Sequence, residues 1–374
     1  MLLSNAEIVL ADQTMTGGIK ITDGKITDIE EGPSSGIDLE GDYLIPGLID
    51  LHTDNLERHY QPRAGVYWDP VNAVIAHDAQ VIGSGITTVF DSLTIGVSRG
   101  SDQRMAMMGP LCEALAVADS ANMVKADHRL HLRCEVNYPH IVQAVDDYLE
   151  HPLLSMMSLM DHAPGDRQVP DIEVWRRFHL KLFDMNEAAL DRYQEELIQH
   201  SKTLSPHHRR KLGEIALAKK LPLASHDDAT SAHVEEAADL AAVITEFPTT
   251  KTAATRAREL DLKVLMGAPN LIRGQSHGGN VAAGDLAMSG LLDILSSDYI
   301  PSSMLPAAFR LTEPPFEMNL NDAIRTVTLE PAKAAGLDDR GEIAIGKHAD
   351  LVRVKLVEGR PLIGAVWQRG VRVA

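Results

Sequence analysis

The feature that most constrains the fold is a series of eight apolar runs, rich in Val, Ile and Leu, separated by longer stretches with helical periodicity. Continuous apolar runs are typical of strands buried on both faces of a parallel sheet, and the stretches between them would carry the crossover helices. Eight such units predict a (β/α)8 barrel, whose chemistry lies at the carboxyl ends of the strands. The predicted strands are 44–54, 86–91, 129–135, 153–162, 221–228, 243–249, 264–270 and 291–298.

The two ends of the chain have a different pattern. Residues 1–43 and 339–374 contain short runs in which apolar and polar residues alternate, separated by turn signals such as Asp-Gly. We therefore predict an α/β protein with a (β/α)8 TIM barrel over residues 44–338 and a small β-sandwich domain formed by both termini. The long stretch between residues 163 and 220 predicts inserted helices over the barrel mouth.

The charge balance limits the partners of the protein. Its 374 residues include 35 basic and 53 acidic side chains, which gives a formal net charge of −18. This excess argues against a broad surface for nucleic acid or an anionic membrane, so an anionic substrate would need a local cationic pocket. Two cysteines are too few for a disulfide framework, and no apolar stretch approaches the roughly 20 residues that span a bilayer. We expect a cytoplasmic homo-oligomer with neither nucleic acid nor membrane as a partner.

Histidine and carboxylate side chains recur where the predicted strands end. These ends converge in a barrel, and imidazole with carboxylate is the ligand set of a divalent-metal hydrolase. Alternate residues of a strand share a face, so His52 and Asp54 project to the same side. By the same alternation Asp227 points away from His226, which argues against it as a ligand. The strand ends offer His52, Asp54, Glu135, His162, His226, Asp227, Asp228, Glu246 and Asp298.

Two groups of polar residues could bind an anion. They are Arg129 and Arg133 on the third predicted strand, and Arg273, His277 and Asn280 in a glycine-rich stretch after the seventh. The two arginines share the polar face of their strand, although an internal ion pair, for example with Asp50, explains them equally well. The glycine-rich stretch leads into a helix, and such loops commonly bind phosphate through free backbone N–H groups and the helix dipole. A flexible linker would have the same composition.

Several motifs resemble those of a known family. A strand ending in PGLIDLH, the sequence GEIAIGKHADLV at 341–352 and a β domain built from both ends resemble the amidohydrolase superfamily. Within it, HRLHLRCE at 128–135, SLMDH at 158–162 and ASHDDAT at 224–230 closely resemble a diphosphatase family of the carbon–phosphorus lyase pathway of phosphonate metabolism. The resemblance covers the whole chain. It implies hydrolysis of α-D-ribose 1-methylphosphonate 5-triphosphate to the 5-phosphate and pyrophosphate.

The departures from the superfamily pattern concern the metal. Most members carry His-x-His on the first strand, where this chain has Asp54 in place of the second histidine. Many bridge two metals with a carboxylated lysine, for which Glu135 could substitute here. More carboxylate and less imidazole favours Mn²⁺ or Mg²⁺ over Zn²⁺, with zinc still open, and leaves open whether one or two ions bind. The predicted metal ligands are His52, Asp54, Glu135, His162, His226 and Asp298.

The resemblance also implies roles in the reaction. Asp298 would accept the proton of the attacking water, and the cationic candidates would hold the phosphates of a ribosyl triphosphate. Two alternatives remain open. The same metals could hydrolyse a C–N bond of a cyclic amide or acylated amine, which needs fewer cations. A metal-free barrel could instead be an interaction module, which predicts apolar residues at the ligand positions, and none of the six is apolar.

Overall fold

The computed structural model describes residues 1–32, 35–96, 102–183, 186–276 and 279–374. The strands are β1 (Leu2–Val9), β2 (Thr14–Thr22), β3 (Lys25–Glu31), β4 (Ile37–Asp38), β5 (Tyr43–Pro46), β6 (Leu48–Thr53), β7 (Ile86–Ile95), β8 (Asp127–Glu135), β9 (Leu154–Met160), β10 (Leu223–His226), β11 (Ile244–Glu246), β12 (Lys263–Gly267), β13 (Ile294–Ser296), β14 (Leu351–Val357), β15 (Arg360–Gln368) and β16 (Val371–Arg372). The helices are α1 (Asn55–Tyr60), α2 (Pro70–Gly83), α3 (Asp102–Ser120), α4 (Ile141–Asp146), α5 (Ile172–Phe183), α6 (Glu187–Thr203), α7 (Ser205–Lys219), α8 (Ser231–Asp239), α9 (Lys251–Glu259), α10 (Ala268–Arg273), α11 (Ala283–Met288), α12 (Met304–Arg310), α13 (Leu320–Arg325) and α14 (Leu329–Ala334), with a 3₁₀ turn at Pro301–Ser303.

Strands β6 to β13 pair in parallel and in chain order, which confirms the predicted barrel. Each of the eight apolar runs overlaps one of these strands, although β7 and β8 extend beyond their predicted runs. The barrel closes at its carboxyl end, where the backbone N–H of Asp54 donates to the carbonyl of Asp298 and the N–H of Asp298 donates to the carbonyl of His52, both at 2.9 Å. The ring of strands is therefore nearly complete, and its first and last strands meet at the predicted ligands.

Side chains alternate between two apolar layers of the barrel. On β8, Leu130, Leu132 and Cys134 belong to the core between strands and helices. Side chains of the other parity point inward, and Ile49, Leu51 and Phe90 belong to the apolar cluster at the barrel centre. The side chains of both layers are buried, so the polar groups at the strand ends are supported by packed apolar side chains.

The two ends of the chain form one mainly antiparallel sheet. Its strand order is β16-β15-β14-β5-β1-β2-β3, with β4 pairing with β1. Residues from both termini, including Leu3, Ile8, Ile19, Leu351 and Trp367, share a separate apolar core. The predicted pairing of the termini is confirmed.

Between β9 and α7, helices α5 and α6 form the predicted insertion. The pair has a small apolar core of its own, which includes Trp175, Leu190, Tyr193 and Leu197. The stretch after β12 differs from the loop that its glycines predict, because residues 268–273 form the short helix α10. Within the described residues, no helix has the length and apolarity that crossing a membrane requires.

Candidate metal centre

The six predicted ligands come together at the carboxyl end of the barrel. His52 and His226 lie at the carboxyl ends of β6 and β10. Their rings are stacked, at a centroid separation of 5.7 Å and an interplanar angle of 24°. The ring of His162, which follows β9, lies edge-on to His226 at 5.8 Å. These contacts place three imidazoles from three strands around one point.

Glu246, at the end of β11, orients two of these rings. Its Oε1 lies 3.1 Å from Nδ1 of His52, and its Oε2 lies 3.0 Å from Nδ1 of His226. Burial alone would raise the pKa of this carboxyl, but His52, His131 and His226 hold it well below its usual range. A carboxylate that occupies Nδ1 fixes the ring and leaves Nε2 for a metal, which is a common arrangement around metal-binding histidines.

Two carboxylates present oxygens without a hydrogen-bond partner. Asp54 Oδ1 and Asp227 Oδ2 are buried and have no hydrogen-bond partner among the described residues. Asp227 Oδ2 lies 3.6 Å from Nε2 of His162 and 3.6 Å from Nε2 of His226. The carboxylate oxygen and the two ring nitrogens converge beyond hydrogen-bond distance, and this geometry fits a cation that the three side chains would share.

Glu135 and His162 are in direct contact at the candidate metal centre. Glu135 Oε2 lies 2.6 Å from Nδ1 of His162. Burial opposes charge on this imidazole, but the carboxylates of Glu135 and Asp227 outweigh it and raise the pKa of His162 to about 10. Glu135 therefore orients the ring through Nδ1, and Nε2 of His162 faces Asp227.

Asp298 follows β13 and faces Asp54 across the closure of the barrel. Burial raises the pKa of Asp298 to about 6, and the charge of Asp54 adds to the rise. Neighbouring carboxylates repel each other when both are ionised. Together with the unpaired oxygens and the orientation of the imidazoles, this repulsion fits a divalent-metal site, and the residues present suit such an ion.

The guanidinium of Arg133 lies near the carboxylates of Asp227 and Asp298. Arg133 on β8 is 8% exposed, and its Nε has no hydrogen-bond partner among the described residues. Its charge contributes to lowering the pKa of Asp227 and partly offsets the rise in the pKa of Asp298. Arg133 is therefore an inward-facing guanidinium with donors to spare at the predicted active site.

The other predicted anion-binding residues have different surroundings. Arg129 lies six residues before Glu135 on β8, roughly 20 Å down the strand, and its ion-pair partner is Asp127 at 3.1 Å rather than Asp50. Arg273 is exposed in the last turn of α10, while Asn280 Nδ2 donates to the carbonyl of Gln168 at 3.2 Å. His277 lies outside the described residues.

Asp228 is also separate from the centre. It is fully buried and forms an ion pair with Arg167, and the hydroxyl of Thr245 donates to its Oδ2 at 2.7 Å. Arg167 is only 3% exposed. This pair joins the loop after β9 to the end of β10, which is a structural role.

A second cluster of imidazoles and carboxylates lies between the barrel and α2. His77 Nε2 is 2.8 Å from Asp91 Oδ1, and His128 Nδ1 is 2.7 Å from Asp91 Oδ2. His128 Nε2 is 3.3 Å from Asp78, and Asn55 Nδ2 is 3.1 Å from His77 Nδ1. Every ring nitrogen has a partner, so we interpret this cluster as a buried ionic network rather than a metal site.

The comparisons with known proteins agree with this geometry. A family model described as the amidohydrolase family matches residues 282–355. A curated relative, α-D-ribose 1-methylphosphonate 5-triphosphate diphosphatase from Escherichia coli (strain K12), is 41% identical over 377 residues, covering 100% of both chains. The chain belongs to this diphosphatase family.

Solved structures with much lower identity support the fold of the diphosphatase family. N-acetylglucosamine-6-phosphate deacetylase from Pasteurella multocida superposes with a TM-score of 0.65 at 14% identity, covering 100% of this chain and 99% of that one. A 5-methylcytosine deaminase from Klebsiella pneumoniae gives 0.66 at 13% identity, covering 100% and 97%. These likenesses show that the fold is shared over the whole chain.

Two residues of the centre lie outside the predicted ligand set of this diphosphatase. Asp227 has a left-handed backbone with φ 55°, which ends the strand alternation and turns its carboxylate toward His226. Glu246 stands at a strand end, but its role depends on which atoms its carboxylate reaches. The sequence indicated Glu246 only through its position at the end of a predicted barrel strand.

We expect Glu246→Gln to weaken Mn²⁺ binding about 10- to 100-fold, because a carboxamide offers only one acceptor oxygen to two imidazole N–H groups. Calorimetric titration of metal-free protein with Mn²⁺ measures the effect. Glu113→Gln is the matched control, since Glu113 is exposed on α3. Equal affinities in the two variants would contradict the orienting role of Glu246.

Proposed function

We propose that the protein hydrolyses α-D-ribose 1-methylphosphonate 5-triphosphate to the 5-phosphate and pyrophosphate. The observation that carries this proposal is the full-length identity of 41% with the E. coli diphosphatase. The site supports it through an inward-facing arginine beside a cluster of imidazoles and carboxylates. A triphosphate ester needs both features, because a metal and a cation must together balance its negative charge.

We propose that one or two divalent ions bind at this centre, as Mn²⁺, Mg²⁺ or Zn²⁺. The proposed ligands are His52, Asp54, Glu135, His162, His226 and Asp298, with Asp227 added by its geometry. A bound divalent ion would acidify water and neutralise charge on the phosphate oxygens. Carboxylate oxygens outnumber imidazoles in this set, which favours Mn²⁺ or Mg²⁺.

Asp298 is the proposed proton acceptor. Water attacks the phosphorus nearest the ribose, a new P–O bond forms, and the bond to the bridging oxygen breaks so that pyrophosphate leaves with the electron pair. The attacking water loses a proton, and Asp298 is a partly exposed carboxylate at the closure of the barrel, with its pKa raised to about 6 by desolvation and the charge of Asp54. A carboxylate with a raised pKa is a better proton acceptor, so Asp298 suits this role.

Arg133 is the proposed phosphate-binding residue. A guanidinium presents several N–H donors in a plane that matches two phosphate oxygens, and Arg133 has the unpaired Nε to do so. We expect Arg133→Gln to lower kcat/KM about 10- to 100-fold, which corresponds to about 1.5–3 kcal/mol for a hydrogen bond to a charged group. Steady-state kinetics measures this loss.

Arg360→Gln is the matched control for charge, because Arg360 is exposed on β15. The kcat/KM of the Arg133 variant should fall more for a triphosphate than for a neutral ester of comparable size. An equal loss on both substrates would point to a general structural defect rather than to phosphate binding.

One assay tests the function itself. The metal-loaded protein is incubated with the ribosyl triphosphate and with nucleoside triphosphates, and pyrophosphate and orthophosphate are measured separately with Mn²⁺, Mg²⁺ or Zn²⁺ added. We expect pyrophosphate from the ribosyl triphosphate. Orthophosphate alone would place the cleavage at the wrong bond, and activity confined to cyclic amides or acylated amines would replace this function with C–N hydrolysis.

We further propose that the enzyme works in the cytoplasm. Both cysteines, Cys112 and Cys134, are buried free thiols, which suits a reducing compartment. The homo-oligomer stays a prediction, which light scattering of the purified protein would test.

A further inference from the structure

Asn137 links two buried carboxylates next to the candidate metal centre. It lies two residues after the end of β8 and is 2% exposed. Its Nδ2 donates to Oε1 of Glu135 at 2.8 Å and to Oδ1 of Asp161 at 2.9 Å. A side-chain amide nitrogen carries two hydrogens, so Asn137 uses both of them on two acids that would otherwise repel each other.

Asp161 extends this link to the inserted helices. Its second oxygen, Oδ2, accepts hydrogen bonds from the hydroxyl of Ser201 on α6 at 2.8 Å and from that of Ser205 on α7 at 2.7 Å. Nη2 of Arg209 on α7 lies 3.5 Å from the same oxygen. The carboxylate of Asp161 therefore ties both helices to the loop that carries His162.

Glu135 is oriented by these contacts. Its Oε1 accepts from Asn137 and also from the backbone N–H of His162 at 2.8 Å. Both donors occupy one oxygen, and the other oxygen, Oε2, lies 2.6 Å from Nδ1 of His162, so contacts at both oxygens fix the carboxylate of Glu135. The rotamer of Glu135 thus depends on an amide that does not itself reach the centre.

We propose that Asn137 and Asp161 are positioning residues that hold Glu135 and His162 in the geometry for binding a divalent ion. This inference rests on the proposed metal-dependent function. The pair acts through Glu135, and it makes the packing of α6 and α7 against the barrel a condition for a well-formed metal site. Supporting residues of this kind commonly change metal affinity by 10- to 100-fold.

The test is the Mn²⁺ affinity of Asn137→Asp, measured by calorimetric titration of metal-free protein. The substitution keeps the size of the side chain but removes both donated hydrogens. We expect Mn²⁺ to bind at least about 10-fold more weakly than in the parent, with kcat partly restored at high Mn²⁺. Asn122→Asp is the matched control, because Asn122 is exposed after α3 and the change in charge is the same.

Asp161→Asn keeps the test decisive if Asn137→Asp does not fold. It retains an acceptor for the serine hydroxyls but turns an N–H group toward Asn137, and we expect at least about a 10-fold loss of Mn²⁺ affinity. Affinity equal to that of Asn122→Asp in whichever variant folds would overturn the inference. A parent protein that binds no divalent ion would instead refute the proposed function.

Discussion

Replacing Asp298 with asparagine is expected to lower kcat for pyrophosphate release by about 10²- to 10⁴-fold, because the carboxamide cannot accept the proton of the attacking water. The change keeps the size of the side chain and removes one of two closely spaced negative charges at the closure of the barrel. Folding should therefore be preserved, since the repulsion between Asp54 and Asp298 that raises the pKa of Asp298 disappears. Single-turnover kinetics at saturating Mn²⁺ separates the chemical step from binding.

Asp261→Asn is the matched control for this experiment. Asp261 is exposed, and its backbone has φ 60°, close to the φ of 55° at Asp298, so the same substitution is made in the same left-handed conformation. A variant at Asp298 that keeps its parent kcat would remove this residue from the mechanism. A loss that disappears at high Mn²⁺ would assign Asp298 to metal binding alone.

Asp91→Asn is expected to destabilise the folded protein by about 3–5 kcal/mol, since it leaves the charge of His128 buried with one of its two acidic partners gone. Burial alone would lower the pKa of His128, yet Asp91 and Asp78 raise it to about 10. Burial alone would raise the pKa of Asp91, yet the charge of His128 and the two imidazole hydrogen bonds lower it to about 2. Denaturant unfolding of metal-free parent and variant measures the difference.

The pH dependence of this difference identifies the ion pair as its source. A raised pKa of about 10 at His128 stabilises the fold fully below its unfolded value of about 6.5, and this contribution declines as pH rises from about 6.5 to about 10. A lowered pKa at Asp91 stabilises above about 4 and is lost as pH falls toward 2. The destabilisation should therefore be larger at pH 6 than at pH 9, and a difference independent of pH would exclude the charge of His128 as its cause.

The barrel could be predicted from the sequence because each of its strands is buried on both faces. Such strands appear as unbroken apolar runs, and even the three-residue strand β11 lies inside its predicted run. The candidate ligands His52 and Asp54 could be identified for a related reason. They follow an apolar run at the spacing of two that places side chains on one face of a strand.

The other features of the candidate site depend on three-dimensional positions that the alternation of side chains along a strand does not determine. The alternation of side chains places Arg129 and Arg133 on one face of their strand, but it does not give their positions along the barrel axis. Of these two arginines, Arg133 is the one near the candidate metal centre. Alternation also fails where the backbone leaves the strand conformation, as at Asp227 with φ 55°. Asn137 acts through contacts between distant segments, which only a folded chain brings together.

The closure of the barrel and the candidate metal centre use the same residues. The first and last strands meet through the backbones of His52, Asp54 and Asp298, and the side chains of these three are proposed ligands. A divalent ion held there would be a noncovalent cross-link between the two edges of one rolled sheet. By thermodynamic linkage its binding free energy would add to that of keeping the sheet rolled, so the concentration of free ion would set how firmly the enzyme stays folded.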